Sequence, residues 1–197
     1  MFIHSLEKNV DLRLLEPHHA NELFCCIDTN RAYLRPWLVW VDRTHTVADV
    51  EAFIQTASAQ YARNAGFHAG IFVDGHPIGA VGCHEIDWVH RNTSVGYWVA
   101  EQHQRHGYST RAVQALLDYA FSIWKLNRVE IRCATDNIRS RLLAERLGFT
   151  AEGIKRQAER IGSSFRDLIV YSILAQESLS PSADPTVGPS QPPKVHV

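Results

Sequence analysis

The sequence lacks the features that would mark a membrane protein, a secreted protein or a nucleic-acid-binding protein. No stretch approaches the roughly 20 apolar residues that a membrane-spanning helix needs, and residues 1–15 contain no apolar run followed by a small-residue cleavage site. The formal net charge is -1 at pH 7, which gives no general attraction to nucleic acid or to an anionic membrane. We therefore expect neither as a partner, and we expect no signal peptide.

Cysteine is scarce and histidine is scattered. The four cysteines, Cys25, Cys26, Cys83 and Cys133, form no CxxC pair, and the 11 histidines include no HExxH pair. Neither residue type therefore shows the spacing of a metal site. Thiols without such a pattern are typical of a reducing compartment. The sequence predicts a cytoplasmic protein with free thiols and no metal.

The chain is long enough for one well-packed domain and too short for two. Its 197 residues are 45% hydrophobic and 21% charged, as in ordinary globular proteins. The one break in composition lies near Ser178, after which the chain contains five of its eight prolines and few large apolar residues. Such a segment buries too little apolar surface to offset the entropy lost on ordering. We predict one domain over residues 1–177 and a flexible Pro/Ser-rich tail over residues 178–197.

Hydrophobic periodicity and turn signals predict an α+β protein built on one mixed sheet. Thr46 with Asp49 resembles a capping box, and Gly148 is placed to end a helix. The Asp74-Gly75 pair is a strong hairpin signal. The predicted helices cover residues 17–27, 46–64, 110–124 and 140–147. The predicted strands cover residues 11–15, 70–73, 77–83, 93–100, 128–134 and 165–173.

The segment from Gln104 to Ser109 is a polar turn between a predicted strand and a long helix. A helix start presents backbone N–H groups without partners and the positive end of the helix dipole. Gly107 allows the backbone to approach a ligand closely. These properties indicate an anion site suited to phosphate or pyrophosphate, although Gly107 alternatively only permits a tight turn. Neither a GxGxxG nor a P-loop motif occurs in the sequence.

Three separated motifs resemble those of the GNAT acetyltransferases. The run from Gly96 to Thr110 resembles their acetyl-CoA-binding motif, whose turn reads Q/R-x-x-G-x-G/A. Gln104 and Gly107 match, and Ser109 stands where Gly or Ala is more frequent. Further along, Asn137 with Ser140, then Leu147-Gly-Phe149 and Glu152-Gly153, resemble the N-x-x-S, LGF and EG signature of the superfamily. The segment from Leu34 to Trp40 resembles an element of the RimJ/RimL branch, whose members acetylate α-amino groups of ribosomal proteins.

The resemblance covers about residues 10–175 and implies the GNAT acyl-CoA N-acyltransferase fold, a mixed central sheet flanked by helices, with acetyl-CoA as co-substrate. It implies that a strand opens around Trp98 and Val99, where pantetheine pairs with the backbone. It also implies that Asn137 holds the pantetheine arm. The residues expected to bind the pyrophosphate are Gln104, Arg105, His106, Gly107, Tyr108, Ser109 and Thr110.

The same resemblance implies which groups assist acetyl transfer. Ser140 is the expected acid for the leaving sulfur; alternatively, it only caps the helix that follows. Glu159 is the expected base or amine-binding carboxylate, and otherwise it is a solvated charge. Glu85 is the second candidate for that role. His84 ranks below both as a proton relay, since imidazole titrates near neutrality.

Trp37, Trp40 and His84 are the expected acceptor-binding residues. The two tryptophans wall the acceptor cleft or, alternatively, pin the loop between the first two helices to the core. A peptide acceptor needs an open groove, whereas tight closure of residues 33–45 over the cleft would favour a small molecule.

The leading hypothesis for the acceptor is a protein N-terminus that begins with Ser or Ala. One alternative is a small amine such as an antibiotic, a polyamine or an amino acid. The other is an acyl-CoA-binding domain without catalysis. The resemblance also implies a homodimer.

Overall fold

The computed structural model describes residues 3–178 of the chain. The predicted flexible tail over residues 178–197 therefore lies outside the described residues, apart from Ser178, which ends a short helix.

A single mixed sheet contains the strands of the described chain, in the order β1-β2-β3-β4-β5-β6-β8-β7. Only β5 and β6 run parallel among the neighbouring pairs of this sheet. The strands are β1 (Ile3–Glu7), β2 (Val10–Leu14), β3 (Phe67–Val73), β4 (His76–Cys83), β5 (Asn92–Val99), β6 (Arg128–Ala134), β7 (Thr150–Ile161) and β8 (Ser164–Leu174). The α+β class and the mixed sheet are thus confirmed.

The helices lie between these strands. A 3-10 turn over Pro17–His19 leads into the first helix, with proline in a first turn where its missing N–H breaks no helical hydrogen bond. The α-helices of the described residues are α1 (Ala20–Thr29), α2 (Arg31–Leu34), α3 (Val47–Ala62), α4 (Tyr108–Ser122), α5 (Ile138–Arg146) and α6 (Ala175–Ser178).

Local sequence signals account for several of these boundaries. Thr46 caps α3, and the reciprocal bonds between Thr46 and Asp49 confirm the predicted capping box. Asp74 and Gly75 have φ of 51° and 86°, as a two-residue hairpin turn between β3 and β4 requires. Gly148, with φ of 81°, follows α5 directly and allows the chain to leave the helix.

The two faces of the sheet are covered by different helices. On one face, α4 buries Val113, Leu116 and Leu117 against the strands. On the other face, Leu23 of α1 and Ile54 of α3 pack with Phe72. Helix α4 connects the parallel strands β5 and β6, so its N-terminus lies at the end of β5 where those strands terminate.

Two strands were not predicted, because their sequences lack a buried face. β7 lies at the edge of the sheet, and nearly all of its residues are exposed. Its pairing with β8 is irregular at two points, near Gly153 and before Glu159, so its apolar residues do not alternate as in a half-buried strand. β1 is a short edge strand that pairs only with β2.

Membrane-spanning helices, metal-type clusters and disulfides are all missing from the described residues. No helix of this part of the chain is long and apolar enough to cross a membrane. Among residues 3–178, no group of three or more His, Cys, Asp or Glu side chains could hold a metal ion. All four cysteines lie in the described range and are free thiols.

Candidate active site

The sheet opens where β5 and β6 stop pairing. Their parallel ladder ends at Val95 and Ile131. On its other side, β5 stays paired with β4 as far as Val99. The backbone from Gly96 to Val99 is therefore unpaired on the side of β6, which leaves a gap in the sheet before the chain reaches α4. We call this gap the splay; it provides backbone hydrogen-bonding groups for an extended ligand.

The turn before α4 has the backbone geometry of an anion site. Arg105 and Gly107 have φ of 63° and 77°, both in the left-handed region. Gly107 is the N-cap of α4, and no side chain of the described residues caps it. The first N–H groups of α4 have no partner within the helix, and they lie at the positive end of its dipole. The backbone of this turn therefore has the geometry that the sequence predicted, and phosphate binding by the turn stays a prediction.

Arg111 holds this turn from inside α4. Its guanidinium donates to the carbonyl of His106 at 2.9 Å and to the carboxylate of Glu7 at 2.7 Å. It also lies over the Tyr108 ring, which stacks on His106. The side chains of His106 and Tyr108 are thus part of the support of the turn.

A second network joins the turn to α2 and α5. Arg139 donates to the amide oxygen of Gln104 at 2.7 Å and to the hydroxyl of Tyr33 at 3.0 Å. The Gln104 amide nitrogen also donates to Tyr33. Buried Asn30 adds a further link, because its side-chain oxygen accepts from the backbone N–H of Glu101 at 2.8 Å. Gln104 therefore sits at a junction between elements from both sides of the splay.

Asn137 and Ser140 lie together at the start of α5. The Asn137 side chain accepts from the backbone N–H of Ser140 at 3.1 Å, which makes Asn137 the N-cap of the helix. The alternative that Ser140 is only the cap is wrong, because Ser140 lies inside the first turn. Its hydroxyl is left for other contacts.

That hydroxyl meets Tyr97 from β5 at a distance of 2.7 Å. Burial raises the pKa of Tyr97 above its ordinary value, and the hydrogen bond between Tyr97 and Ser140 opposes the rise. The Ser140 hydroxyl also contacts the thiol of Cys133 on β6. Burial raises the pKa of Cys133, and the hydrogen bond with Ser140 opposes that rise. Tyr97 and Cys133 therefore remain protonated near neutral pH, and Ser140 stands in an uncharged environment at the base of the splay.

Aromatic side chains cover the opposite face of the sheet. Trp98 belongs to the cluster packed under α1 and α3, and its ring lies 5.9 Å from that of Trp40. Trp37, in the same loop, packs against Arg166 of β8, whose guanidinium carbon lies 5.7 Å from its ring centre. The loop between α2 and α3 thus contacts both β5 and β8, and it crosses the open end of the splay.

Glu159 and Arg166 form an ion pair on the β7–β8 hairpin. The Arg166 Nε donates to Glu159 Oε2 at 2.7 Å, and its Nη1 donates to the carbonyl of Pro36 at 2.5 Å. Ala134, the last residue of β6, pairs with Leu168, so Arg166 lies beyond the end of β6. The structure therefore brings Glu159 to the open end of the splay, where it shares Arg166 with the loop.

Two paired glycines leave room for two histidine rings on the face of the sheet that carries Trp98. Gly82 and Gly96 are register partners of β4 and β5. An added Cβ at Gly82 would lie 2.3 Å from the His68 ring, and one at Gly96 would lie 3.3 Å from the His84 ring. The two rings therefore occupy space that larger residues would fill. His84 Nδ1 contacts the Ser94 hydroxyl at 3.0 Å, which leaves Nε2 facing the start of the splay.

Glu85 lies farther from the opening. Its backbone oxygen accepts from the Thr93 hydroxyl at 3.4 Å, and Thr93 lies in the stretch where β5 and β6 remain paired. Its side chain is exposed. The structure thus places Glu159 and His84 nearer to the opening than Glu85.

Sequence reasoning missed Tyr97, Tyr33, Arg139 and Arg166 as parts of the site. One signal was present for Tyr97: strand alternation puts it on the same face as Val95 and Val99, opposite Trp98. Tyr33, Arg139 and Arg166 meet their partners across distant elements, so no local pattern could have identified them.

Comparison with known proteins gives the same region a consistent context. Residues 9–150 match the family of the acetyltransferase (GNAT) domain. The matched range contains the splay, the turn and α5, and it ends as β7 begins.

Three similar proteins cover nearly the whole domain. The "Putative ribosomal N-acetyltransferase YdaF" of Bacillus subtilis (strain 168) is 36% identical over 179 residues, which are 90% of this chain and 97% of that protein. The ribosomal-protein-serine acetyltransferase of Escherichia coli (strain K12) is 27% identical over 167 residues, 85% of this chain and 93% of that protein. A crystal structure of the microcin C7 self-immunity acetyltransferase MccE, in complex with acetyl-CoA and AMP, has a TM-score of 0.82 and 25% identity, covering 86% of this chain and 94% of that one.

Proposed function

This chain belongs to the acetyltransferase (GNAT) family and is an acetyl-CoA-dependent N-acetyltransferase, and on that premise we propose that its acceptor is the α-amino group of a protein N-terminus. The splay between β5 and β6, with the turn before α4 at one end and Ser140 at its base, is the observation that supports acetyl transfer at this site. The ribosomal-protein relatives support the choice of acceptor.

The donor half of the site would hold acetyl-CoA as a substrate. The backbone at Trp98 and Val99 lies along the splay and would pair with the pantetheine. The N–H groups from Arg105 to Thr110 would bind the pyrophosphate, since they combine unpaired donors with a positive dipole end. Gln104 and Arg139 would form the side of the site next to the pyrophosphate. Asn137 would hold the pantetheine arm, and its side-chain oxygen also fixes the start of α5 by accepting from the Ser140 N–H.

Acetyl transfer then needs polarisation of the carbonyl and help for the leaving group. A backbone N–H in the splay is suited to the developing negative charge on the carbonyl oxygen. The amine nitrogen forms a bond to the carbonyl carbon while the carbon–sulfur bond breaks and its electron pair stays on sulfur. Ser140 is the expected hydrogen-bond donor to that sulfur.

The amine must arrive without its proton. Glu159 is the first candidate for this step, because it lies at the open end of the splay and its recorded contacts to Arg166 involve only Oε2. His84 is a second, since its Nε2 faces Gly96 at the start of the splay. Glu85 is the weakest of the three because it lies where β5 and β6 are still paired.

One observation favours a small amine as a second candidate acceptor. Arg166 ties the carbonyls of Pro36 and Trp37 to β8, and Trp40 packs near Trp98. The loop is thus anchored on both sides of the opening, which narrows the path that a peptide would need. A peptide acceptor requires either a gap beside this loop or its release from Arg166.

The assembly and compartment are extensions of the same proposal. β7 is a long exposed edge strand, and Ile154 and Phe165 of the β7–β8 hairpin are exposed apolar side chains. A homodimer that covers this hairpin would bury them. Light scattering after size-exclusion chromatography tests the dimer, and a monomer at micromolar concentration would reject it. An acetyl-CoA-dependent reaction fits the cytoplasm.

Mass spectrometry after incubation with acetyl-CoA tests the acceptor. The panel contains peptides with free N-terminal Ser or Ala, the same peptides blocked at the α-amine but carrying an internal Lys, and common small amines. We expect a gain of one acetyl group on the free peptides and none on the blocked ones. Labelling of small amines alone would move the assignment to the second candidate. CoA binding without labelling of any amine would indicate a binding domain.

A further inference from the structure

Tyr97 makes the side-chain contact that reaches Ser140 from across the splay. It extends from β5 beyond the last paired residue, Val95, and its hydroxyl lies 2.7 Å from the Ser140 hydroxyl and 3.4 Å from the Ser140 carbonyl. Its ring packs against the main hydrophobic cluster. A partly buried phenol at this point is not needed to fill the core, since phenylalanine would fill the same volume.

We infer that Tyr97 is a positioning residue that donates its hydrogen bond to Ser140 and thereby directs the Ser140 proton toward the leaving sulfur of acetyl-CoA. This inference rests on the proposed function, because it requires the sulfur to lie beside Ser140.

The direction of the bond follows from the hydrogen-bonding groups present. A serine hydroxyl has one proton and two lone pairs, and a tyrosine hydroxyl is the more acidic of the two, so the phenol is the better donor. If Tyr97 donates to Ser140 Oγ, the serine proton is directed to a different acceptor, which is the uncharged Cys133 thiol in the free protein and would be the sulfur of bound acetyl-CoA. The backbone N–H of Ser140 is already bonded to Asn137, which fixes the turn and limits rotation of the hydroxyl.

The titratable groups beside Ser140 are uncharged near neutral pH and therefore do not compete strongly for the Ser140 proton. Tyr97 from β5 and Cys133 from β6 both have raised pKa values, chiefly through burial. Neither carries charge near neutral pH, so the Ser140 proton is not drawn to an anion of the protein. The sulfur that gains charge as the carbon–sulfur bond breaks then becomes the strongest acceptor nearby.

The step balances without proton transfer along the Tyr97–Ser140 pair. The amine nitrogen gains the acetyl carbon and loses a proton to the base or to water. The sulfur leaves as a thiolate that accepts a hydrogen bond from Ser140, and it takes up a proton from solvent later. Tyr97 and Ser140 each keep their own proton throughout.

A purely structural role of Tyr97 would have a different effect on the kinetics. Because the bond spans the splay, its loss could simply alter the width of the gap, which would weaken acetyl-CoA binding. A positioning role instead lowers kcat and leaves the acetyl-CoA KM nearly unchanged. The two roles are therefore separable by kinetics.

The kinetic test compares Tyr97→Phe, Ser140→Ala and the double variant, with Tyr171→Phe as a matched control. Tyr171 is also buried and also bonds α5, through Glu145 at 2.7 Å, but it does not touch Ser140. We expect kcat to fall about five- to tenfold in Tyr97→Phe, the size of one neutral hydrogen bond, and about 100-fold in Ser140→Ala. The double variant should match Ser140→Ala, and Tyr171→Phe should match wild type.

A second readout needs no acceptor. The thiol of CoA bound to each variant is titrated by its ultraviolet thiolate absorbance, with desulfo-CoA complexes subtracted to remove the protein cysteines. We expect the pKa of the bound thiol to rise by roughly half a unit to one unit in Tyr97→Phe and in Ser140→Ala relative to wild type, and to stay at the wild-type value in Tyr171→Phe.

Several outcomes would overturn the inference. Equal thiol pKa values in all four proteins, a Tyr97→Phe variant with wild-type kcat, or effects of Tyr97→Phe and Ser140→Ala that multiply would each do so. If wild type acetylates no amine, the proposed acceptor fails, and the thiol titration still decides the role of Tyr97.

Discussion

Arg139 of α5 donates to the side-chain oxygen of Gln104 at 2.7 Å and so connects the helix after β6 to the turn after β5. These two elements lie on opposite sides of the splay, and the hydroxyl of Tyr33 completes the junction. Arg139 has only neutral side-chain partners in these bonds, so its charge remains available to an anion that enters the site.

Loss of the Arg139 charge should weaken CoA binding. In Arg139→Gln the junction keeps polar groups but loses the cation beside the predicted pyrophosphate position. We expect the Kd for CoA, measured by isothermal titration calorimetry, to rise about tenfold or more, as for one charge-assisted hydrogen bond. Arg63→Gln, at the end of α3, removes an equal charge away from the site and should bind CoA as wild type does. If Arg139→Gln and Arg63→Gln bound CoA with the same affinity, the Arg139 charge would have no role in CoA binding.

The left-handed backbone of Gly107 should matter for binding more than for folding. Gly107→Ala forces a side chain into φ of 77°, at a cost of roughly 1–2 kcal/mol in stability, and its Cβ would lie 2.8 Å from Arg111 Nη1, which must shift and so disturb the turn. Gly75→Ala is the matched control, because Gly75 has φ of 86° in the β3–β4 turn and nothing lies within 4 Å of its added Cβ. We expect similar losses of thermal stability in both, but a loss of CoA affinity of tenfold or more only in Gly107→Ala.

Removal of the Arg166 guanidinium should release the loop between α2 and α3. Arg166→Met keeps the apolar stem against Trp37 but deletes the bonds to Pro36, Trp37 and Glu159. We expect the KM for the acceptor to rise several-fold while the KM for acetyl-CoA changes less than twofold, in steady-state assays with the best acceptor of the panel. Arg160→Met, on the same hairpin, loses only a bond to the Gly162 carbonyl and serves as control. A lower KM for longer peptides in Arg166→Met would mean that the anchored loop restricts peptide entry.

The stability of the protein should depend on His68 in mildly acidic solution. Burial, with a smaller contribution from His84, lowers the pKa of His68 to about 4. In the unfolded chain a histidine titrates near 6.5, so below that pH the unfolded state binds more protons than the folded state. The free energy of unfolding therefore decreases as the pH falls from about 6.5 to about 4.

Urea denaturation at pH 7.5 and pH 5.0 measures this contribution. Wild type should lose about 1–2 kcal/mol more between the two pH values than His68→Gln does. His90→Gln, in the exposed β4–β5 loop, should behave as wild type. An equal loss in wild type and His68→Gln would show that His68 accepts a proton as readily in the folded protein as in the unfolded chain.

The positions of several elements followed from local sequence. The Thr46 and Asp49 capping box, the Asp74-Gly75 hairpin and the glycine that ends α5 each depend on a few neighbouring residues. The turn from Gln104 to Ser109 was identifiable for the same reason, since a glycine before an amphipathic helix determines where backbone N–H groups are exposed. Periodicity and turn signals predicted the α+β class with one mixed sheet, and the motif resemblance added the GNAT family; the structure and the comparisons confirm both.

The edge strands and the long-range contacts could not be predicted from the sequence. β7 has no buried face, and only its pairing with β8 makes it a strand. Helix propensity and a motif identified Ser140 as a site residue. They did not show that Asn137 caps α5, or that the Ser140 hydroxyl bonds Tyr97, which lies 43 residues earlier. The roles of Glu85, Glu159 and the tryptophans remain predictions.

The sequence by itself determined the turn before α4 and the order of the helices and the six inner strands, because each depends on residues close together in the chain. The tertiary structure decided which side chains face one another across the splay: Tyr97 with Ser140, Gln104 with Arg139, and Arg166 with both Glu159 and the Trp37 loop. Those pairs join elements that meet only after the sheet has formed, so their contacts depend on packing and register rather than on spacing along the chain.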